Sequence, residues 1–146
     1  MPLGESRKSQ RTTGQFPESH VDTSAFIAAL DRSDSHHRLY ARLFAAPPPL
    51  LTSSLVIAEG HGWFLRWYDQ HKAIQFLHFI QELTPLAVLP FGAADLDKIS
   101  TLIKKLADQR VTLADTHGLV IMRDRRIKAC WSTDRHLGLT GVRLVM

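Results

Sequence analysis

The sequence predicts an α/β fold: a three-layer α/β/α sandwich around a mostly parallel central sheet. From Val21 onward, short apolar runs alternate with stretches of helical apolar spacing, the pattern of a parallel sheet covered on both faces. The 146 residues suit one domain, and at 45% hydrophobic and 22% charged they carry enough apolar surface for a core. No internal repeat or low-complexity segment interrupts the alternation. Lone Cys130 excludes a disulfide framework and a cysteine-based zinc cluster, so the fold must rest on its core.

Residues 1–18 contain only Met1, Leu3 and Phe16 as large apolar groups and are expected to form a flexible N-terminal arm, with residues 19–146 as the folded domain. The first strand ends at Val21. Its approach, Phe16-Pro17-Glu18-Ser19-His20, makes a poor central strand because Pro17 removes a ladder donor. The strand is therefore either very short, beginning at about Ser19, or placed near an edge. Helices are expected from about Ser24 to Asp31 and from Ser35 to Ala46, where Pro47, Pro48 and Pro49 forbid continuation. Leu50 to Thr52 reads as a short strand. A helix over Ser54 to Tyr68 carries Leu55, Val56, Trp63 and Trp67 as its stripe, and another covers His71 to Leu83. Pro85 to Leu89 reads as a buried strand. Gly92 with first-turn acids Asp95 and Asp97 opens a helix ending near Gln109. A short helix from Asp115 to Arg125, a strand from Ile127 to Trp131 and an edge strand from Val142 to Val145 complete the chain.

Eighteen Lys and Arg against fourteen Asp and Glu give a net charge of +4, an excess that favours a polyanionic partner such as nucleic acid without requiring one. No apolar run approaches the roughly 20 residues of a membrane span. With its single cysteine, the composition suits a reducing, cytoplasmic setting.

Three aspartates stand where a strand hands over to a helix: Asp22, Asp115 and Asp134. Each suits an N-cap. Glu59 does not fit that reading, because it lies more than one turn inside its helix and on the apolar stripe, where Glu is seldom buried without a partner. In an open parallel sheet the carboxyl ends of the strands face one crevice, and all four acids can reach it. Four carboxylates together repel one another unless a cation neutralises them. Oxygen-only donors favour magnesium or manganese over zinc. Asp22 and Asp115 are the candidate direct ligands, with Asp134 and Glu59 completing the shell directly or through water, and the Ser132 and Thr23 hydroxyls would orient water or a neighbouring carboxylate.

These residues resemble the PIN-domain ribonucleases, and within them the VapC-type toxins of bacterial toxin–antitoxin pairs. The segments that carry the resemblance are VDTSAFIAALDRSDSHH from Val21, LTSSLVIAEGHGWFLR from Leu51, TLADTHGLVIM from Thr112 and WSTDRHLGLTG from Trp131. Asp22, Glu59, Asp115 and Asp134 match the family's acids, and Ser132 stands at the position of its threonine. The resemblance covers about residues 20–146. It implies an Mg2+- or Mn2+-dependent endoribonuclease that hydrolyses RNA phosphodiester bonds, usually a homodimer silenced by a cognate antitoxin. A catalytically silent RNA- or protein-binding module of the same fold is the alternative, disfavoured by the full acid set. A receiver-like domain is a third reading, and the residues argue against it: Asp22 has no adjacent acid and no lysine follows Lys128.

His61, His117 and His136 each lie two residues after a proposed ligand, a helical spacing that turns them away from its face. They are left out of the expected site, and His36 and His37 read as helix-surface residues. Arg123, Arg125, Arg126 and Lys128, with Arg135 beside Asp134, fit either a phosphate path or a solvated turn. Trp63, Phe64, Trp67, Tyr68, Phe76, Phe79 and Phe91 fit core packing better than a stacking platform or dimer seam.

Overall fold

A computed structural model describes residues 17–146. The arm expected over residues 1–18 lies outside the described residues except for its last two. Five strands, β1 (Ser19–Val21), β2 (Leu50–Ser53), β3 (Leu86–Leu89), β4 (Ala129–Trp131) and β5 (Arg143–Val145), form one sheet in the order β3-β2-β1-β4-β5. Every neighbouring pair is parallel. The helices are α1 (Thr23–Leu30), α2 (His37–Ala45), α3 (Ser54–Trp67), α4 (Gln70–Glu82), α5 (Leu96–Lys105) and α6 (Leu113–Arg125), with 3-10 turns at Ala93–Asp95 and Arg135–Gly138.

Alternation along the strands divides the interior into two cores. Val21, Leu50 and Trp131 face one side, where they meet Phe26 of α1, Tyr40 and Phe44 of α2, Phe64 of α3 and Phe76 of α4. Phe44 stacks on Phe26 at 5.4 Å between centroids and meets the Trp131 ring edge-on at 5.0 Å. Leu51 and Cys130 face the other side, against Leu119 and Met122 of α6 and Leu137, with Leu102 of α5 and Leu106 just after it packed alongside. Helices on both faces give the expected three layers.

The first strand is very short and central, lying between β2 and β4 with all three residues buried. Its ladder needs no donor from Pro17, because Ser19 donates its N–H to Pro49 O and the hydrogen bonding begins there. His20 lies inside the sheet, its Nδ1 3.7 Å from Cys130 Sγ. Gly118 of α6 is the residue that admits the imidazole: a Cβ there would stand 3.0 Å from His20 Cε1 and Nε2.

Three expectations are corrected. β3 is an edge strand with Ala87 and Val88 exposed, where a buried strand was expected, because an apolar run alone does not distinguish a central strand from an edge. The helix expected to reach Gln109 ends at Lys105. The helix expected from Asp115 begins at Leu113, because Thr112 caps it.

Candidate functional site

Three of the candidate residues are set by strand ends. The Asp22 N–H donates to Trp131 O at 3.0 Å, which extends the β1–β4 ladder by one bond and places Asp22 beside Ser132. Asp22 occupies the N-cap position of α1 but makes no side-chain capping bond. Its Oδ2 instead accepts from Ser132 Oγ at 2.9 Å and from Ser24 Oγ at 3.0 Å. Those hydroxyls also accept backbone donors, Ser132 Oγ from Asp134 N at 2.9 Å and Ser24 Oγ from Thr133 N at 3.0 Å. One polar network thus ties Asp22 to the turn that carries Asp134.

Asp115 is positioned by a reciprocal cap. Thr112 Oγ1 accepts from Asp115 N, and Asp115 Oδ2 accepts from Thr112 N, both at 3.0 Å. Oδ1 of Asp115 has no hydrogen-bond partner among the described residues. Asp134 caps the Arg135–Gly138 turn by accepting from His136 N at 2.9 Å. The N-cap explanation therefore holds for Asp134 alone among the three aspartates.

Asp115 and Asp134 come together tightly, and His136 joins them. Ligand atoms of these three lie within 4.8 Å of one another, and His136 Nδ1 is 2.9 Å from Asp134 Oδ1. This corrects the exclusion of His136: the segment is a 3-10 turn capped by Asp134, not an α-helix, so the two-residue spacing does not turn the ring away. Asp22, expected as a direct ligand beside Asp115, lies outside that group, as does Glu59, though both are within reach of its charge. Glu59 also departs from expectation, since the buried stripe of α3 is Val56, Gly60 and Phe64, and Glu59 sits beside it, exposed as a residue. Its Oε1 accepts a short hydrogen bond from Thr23 Oγ1, which aims the carboxyl end back toward Asp22's neighbour on α1.

The electrostatics follow from burial and crowding. Asp22, only 4% exposed, has its pKa pushed up to about 6, chiefly by burial and further by the charge of Asp115, against the opposing hydrogen bonds of Ser132 and Ser24. Asp115 is raised by burial and by Asp134, and Glu59 by desolvation of its carboxyl end and by Asp115 and Asp134. Among the described residues no Lys or Arg forms an ion pair with any of the four acids; only His136 faces one. Carboxylates held together at a cost to their ionised forms, with no cationic side chain to offset it, form a donor set that fits a divalent cation. Asp115, Asp134 and His136 could hold one directly, with Asp22 and Glu59 completing the shell.

His117 stands apart from this cluster. Its Nδ1 hydrogen-bonds to Ser53 Oγ, its ring meets Phe91 edge-on at 5.3 Å, and burial lowers its pKa. It braces α6 against the end of β2.

A family model for the PIN domain matches residues 20–141. No curated protein matches the sequence. The fold is similar to the Mycobacterium tuberculosis toxin VapC20, described as cleaving the sarcin–ricin loop, at TM-score 0.76 and 21% identity over 84% of this chain and 95% of that one. It is also similar to a chain of VapBC2 from Rickettsia felis, solved bound to a DNA fragment from its promoter, at TM-score 0.60 and 14% identity over 88% and 97% of the two chains. PAE2754 from Pyrobaculum aerophilum matches at TM-score 0.62 and 19% identity over 88% and 89%. Likeness at these identities concerns the fold, whereas the family model spans most of the sequence and all four candidate acids. The chain belongs to the PIN domain family.

Proposed function

We propose that this protein is an Mg2+- or Mn2+-dependent endoribonuclease and the toxin of a type II toxin–antitoxin pair. The observation that carries the reading is the convergence of Asp115, Asp134 and His136, flanked by Asp22 and Glu59, without a Lys or Arg partner among the described residues. Family membership supports nuclease chemistry, and similarity in fold to VapC20 and VapBC2 supports RNA as substrate and an antitoxin as partner. Leu65, Trp67, Tyr68 and Ile74, exposed on α3, α4 and their connection, are apolar surface that an antitoxin or a second copy in a homodimer would cover. No helix among the described residues is long and apolar enough to cross a membrane.

When bound, the divalent ion supplies charge stabilisation at the scissile phosphate and lowers the pKa of water. Asp115, Asp134 and His136 would hold the ion, with Asp115 oriented by Thr112 and Asp134 by the turn it caps. Ser132 and Ser24 hold Asp22 Oδ2, which fixes the orientation of that carboxylate. Thr23 pins Glu59 Oε1, leaving Oε2 to accept a proton from water, a role suited by its raised pKa. No covalent intermediate is required.

The test is cleavage of a mixed RNA pool by purified, antitoxin-free protein in Mg2+, in Mn2+ and in EDTA, beside Asp115→Asn. Cutting that needs the metal and is lost in a folded Asp115→Asn variant is expected. Absence of cutting under every condition by folded wild-type protein would move the reading to a silent binding module.

A further inference from the structure

Beyond the acids, the chain returns from the end of β4 to the start of β5 through residues 132–142, and two surface depressions follow that return. The first, of about 480 Å³, starts at Asp134 and is lined by Gln109, Thr133, Arg135, His136 and Leu139. The second, of about 400 Å³, lies at the opposite end of the strands, where Arg123, Arg126, Lys128, Thr140 and Val142 form its wall. Leu139 closes one and Thr140 opens the next, so the two are consecutive along the chain. After Asp134 the lining residues include five basic side chains, counting His136, and no acid.

Three of the cations along the two depressions are not consumed internally. Arg123 pairs with Asp124 at 3.1 Å, but neither Arg126, Lys128 nor Arg135 has a carboxylate partner among the described residues, and all three are exposed. A cation in the last turn of α6 is accounted for by the negative end of the helix dipole, which covers Arg123 and Arg125. Arg126 and Lys128 lie past that turn. Arg126 is moreover the only non-glycine residue with positive φ among the described residues, at φ 56 and ψ 39. It occupies the left-handed position of a helix C-terminal motif in which Ile127 N donates to Met122 O at 2.9 Å, a place where glycine is the usual residue. An arginine that accepts backbone strain to stand unpaired in a basic groove points to a ligand for its side chain.

We propose that this return segment is an extended phosphate track that carries the RNA strand flanking the cleavage point away from the acids into the Arg126–Lys128 groove. The proposal rests on the nuclease reading for its substrate but not for its geometry. The span from Lys128 to Ser132 is four residues of extended chain, about 13 Å. That is longer than one internucleotide step of an extended single strand, so occupancy of both ends requires an oligonucleotide rather than a dinucleotide. RNA is favoured over an acidic protein because the first depression includes Asp134 of the acid cluster and the two linings together carry five basic side chains, which suits a polyanion that starts at the acids.

The experiment uses the full chain carrying Asp115→Asn, so that binding is read without cutting, with and without Arg126→Gly and Lys128→Gln. The probe is a fluorescein-labelled 16-mer of uridylate, followed by anisotropy over a range of KCl. Each single-strand phosphate contact contributes about 0.7 to the salt slope, so loss of two should lower affinity about 25-fold at 0.1 M salt and flatten the slope by about 1.4. Glycine relieves the positive φ, so Arg126→Gly should melt no lower than its parent, which separates loss of binding from loss of fold. Unchanged affinity and salt slope in the folded double variant would overturn the track and leave the groove to an acidic protein partner. If the 16-mer binds through these residues while wild-type protein cuts no RNA, the track stands and the nuclease reading falls.

Discussion

Asp22→Asn should make the metal-free protein more stable at neutral pH, an outcome opposite to that of most substitutions of a buried, hydrogen-bonded residue. The Asp22 carboxyl is 4% exposed and its pKa is pushed from 3.8 up to about 6. The folded protein therefore binds a proton more readily than the unfolded chain. That difference stabilises the fold fully below about pH 4, is lost as pH rises through about 6, and is gone above about 7. A difference of about 2 pKa units corresponds to about 3 kcal/mol of cost for the ionised form at pH 7.5. Asparagine removes the charge and keeps an oxygen that can accept from Ser132 and Ser24, but its amide N–H groups need partners, so about 1–3 kcal/mol of stabilisation is expected. For a chain of this size that is roughly 3–10 °C in Tm. Thermal melts of both proteins in EDTA from pH 4 to 8 read it directly: wild type loses stability between about pH 4 and 6.5, the variant loses less, and the curves separate with rising pH. In saturating Mn2+ the order narrows or reverses, because only wild type retains the full ligand set. A variant less stable than wild type at pH 7.5 in EDTA, with the same pH slope, would refute the reasoning.

Thr112→Ala should cost about 1 kcal/mol by removing the cap of α6, and should weaken Mn2+ binding by freeing Asp115; Thr112→Ser should restore both, as read by melting and calorimetry. Gly60→Ala should destabilise by about 1–3 kcal/mol in urea titration, although alanine favours the helix by up to about 1 kcal/mol, because its Cβ would lie 2.6 Å from Cζ of the fully buried Phe76. Tyr40→Phe should cost about 1 kcal/mol, since the hydroxyl donates to Val145 O at 2.6 Å and fastens edge strand β5; amide exchange should rise in Arg143–Val145.

Local chemistry made the layers legible. The prolines after Ala46, the acids opening α5 and the alternation of apolar runs are all short-range signals, and each element they announced exists. Where they failed, the deciding contact lay outside the local sequence. β1 is central despite its polar residues because Gly118, almost a hundred residues later, makes room for His20. Val88 is exposed because no strand follows β3 in the sheet, which its own composition does not report. Asp22 and Asp134 were legible from their place after β1 and β4, whereas Asp115 follows no strand and is set by the Thr112 cap of α6. The place of Glu59 was not legible: it sits beside the apolar stripe, held by Thr23 from a different helix. His136 was missed because a helical spacing was applied to a 3-10 turn; the Asp-x-His pattern of an aspartate capping its own turn was the available signal.

That these acids receive a divalent cation is tested most directly by Mn2+ titration calorimetry at pH 5.5 and 7.5, in buffers of different ionisation enthalpy. With Asp22 at about 6, roughly three-quarters of a proton from that residue should be released on binding at pH 5.5 and almost none at pH 7.5, and affinity should fall sharply in Asp115→Asn and Asp134→Asn. Absence of Mn2+ binding by the folded protein, or binding undiminished in both variants and without proton release at pH 5.5, would contradict it.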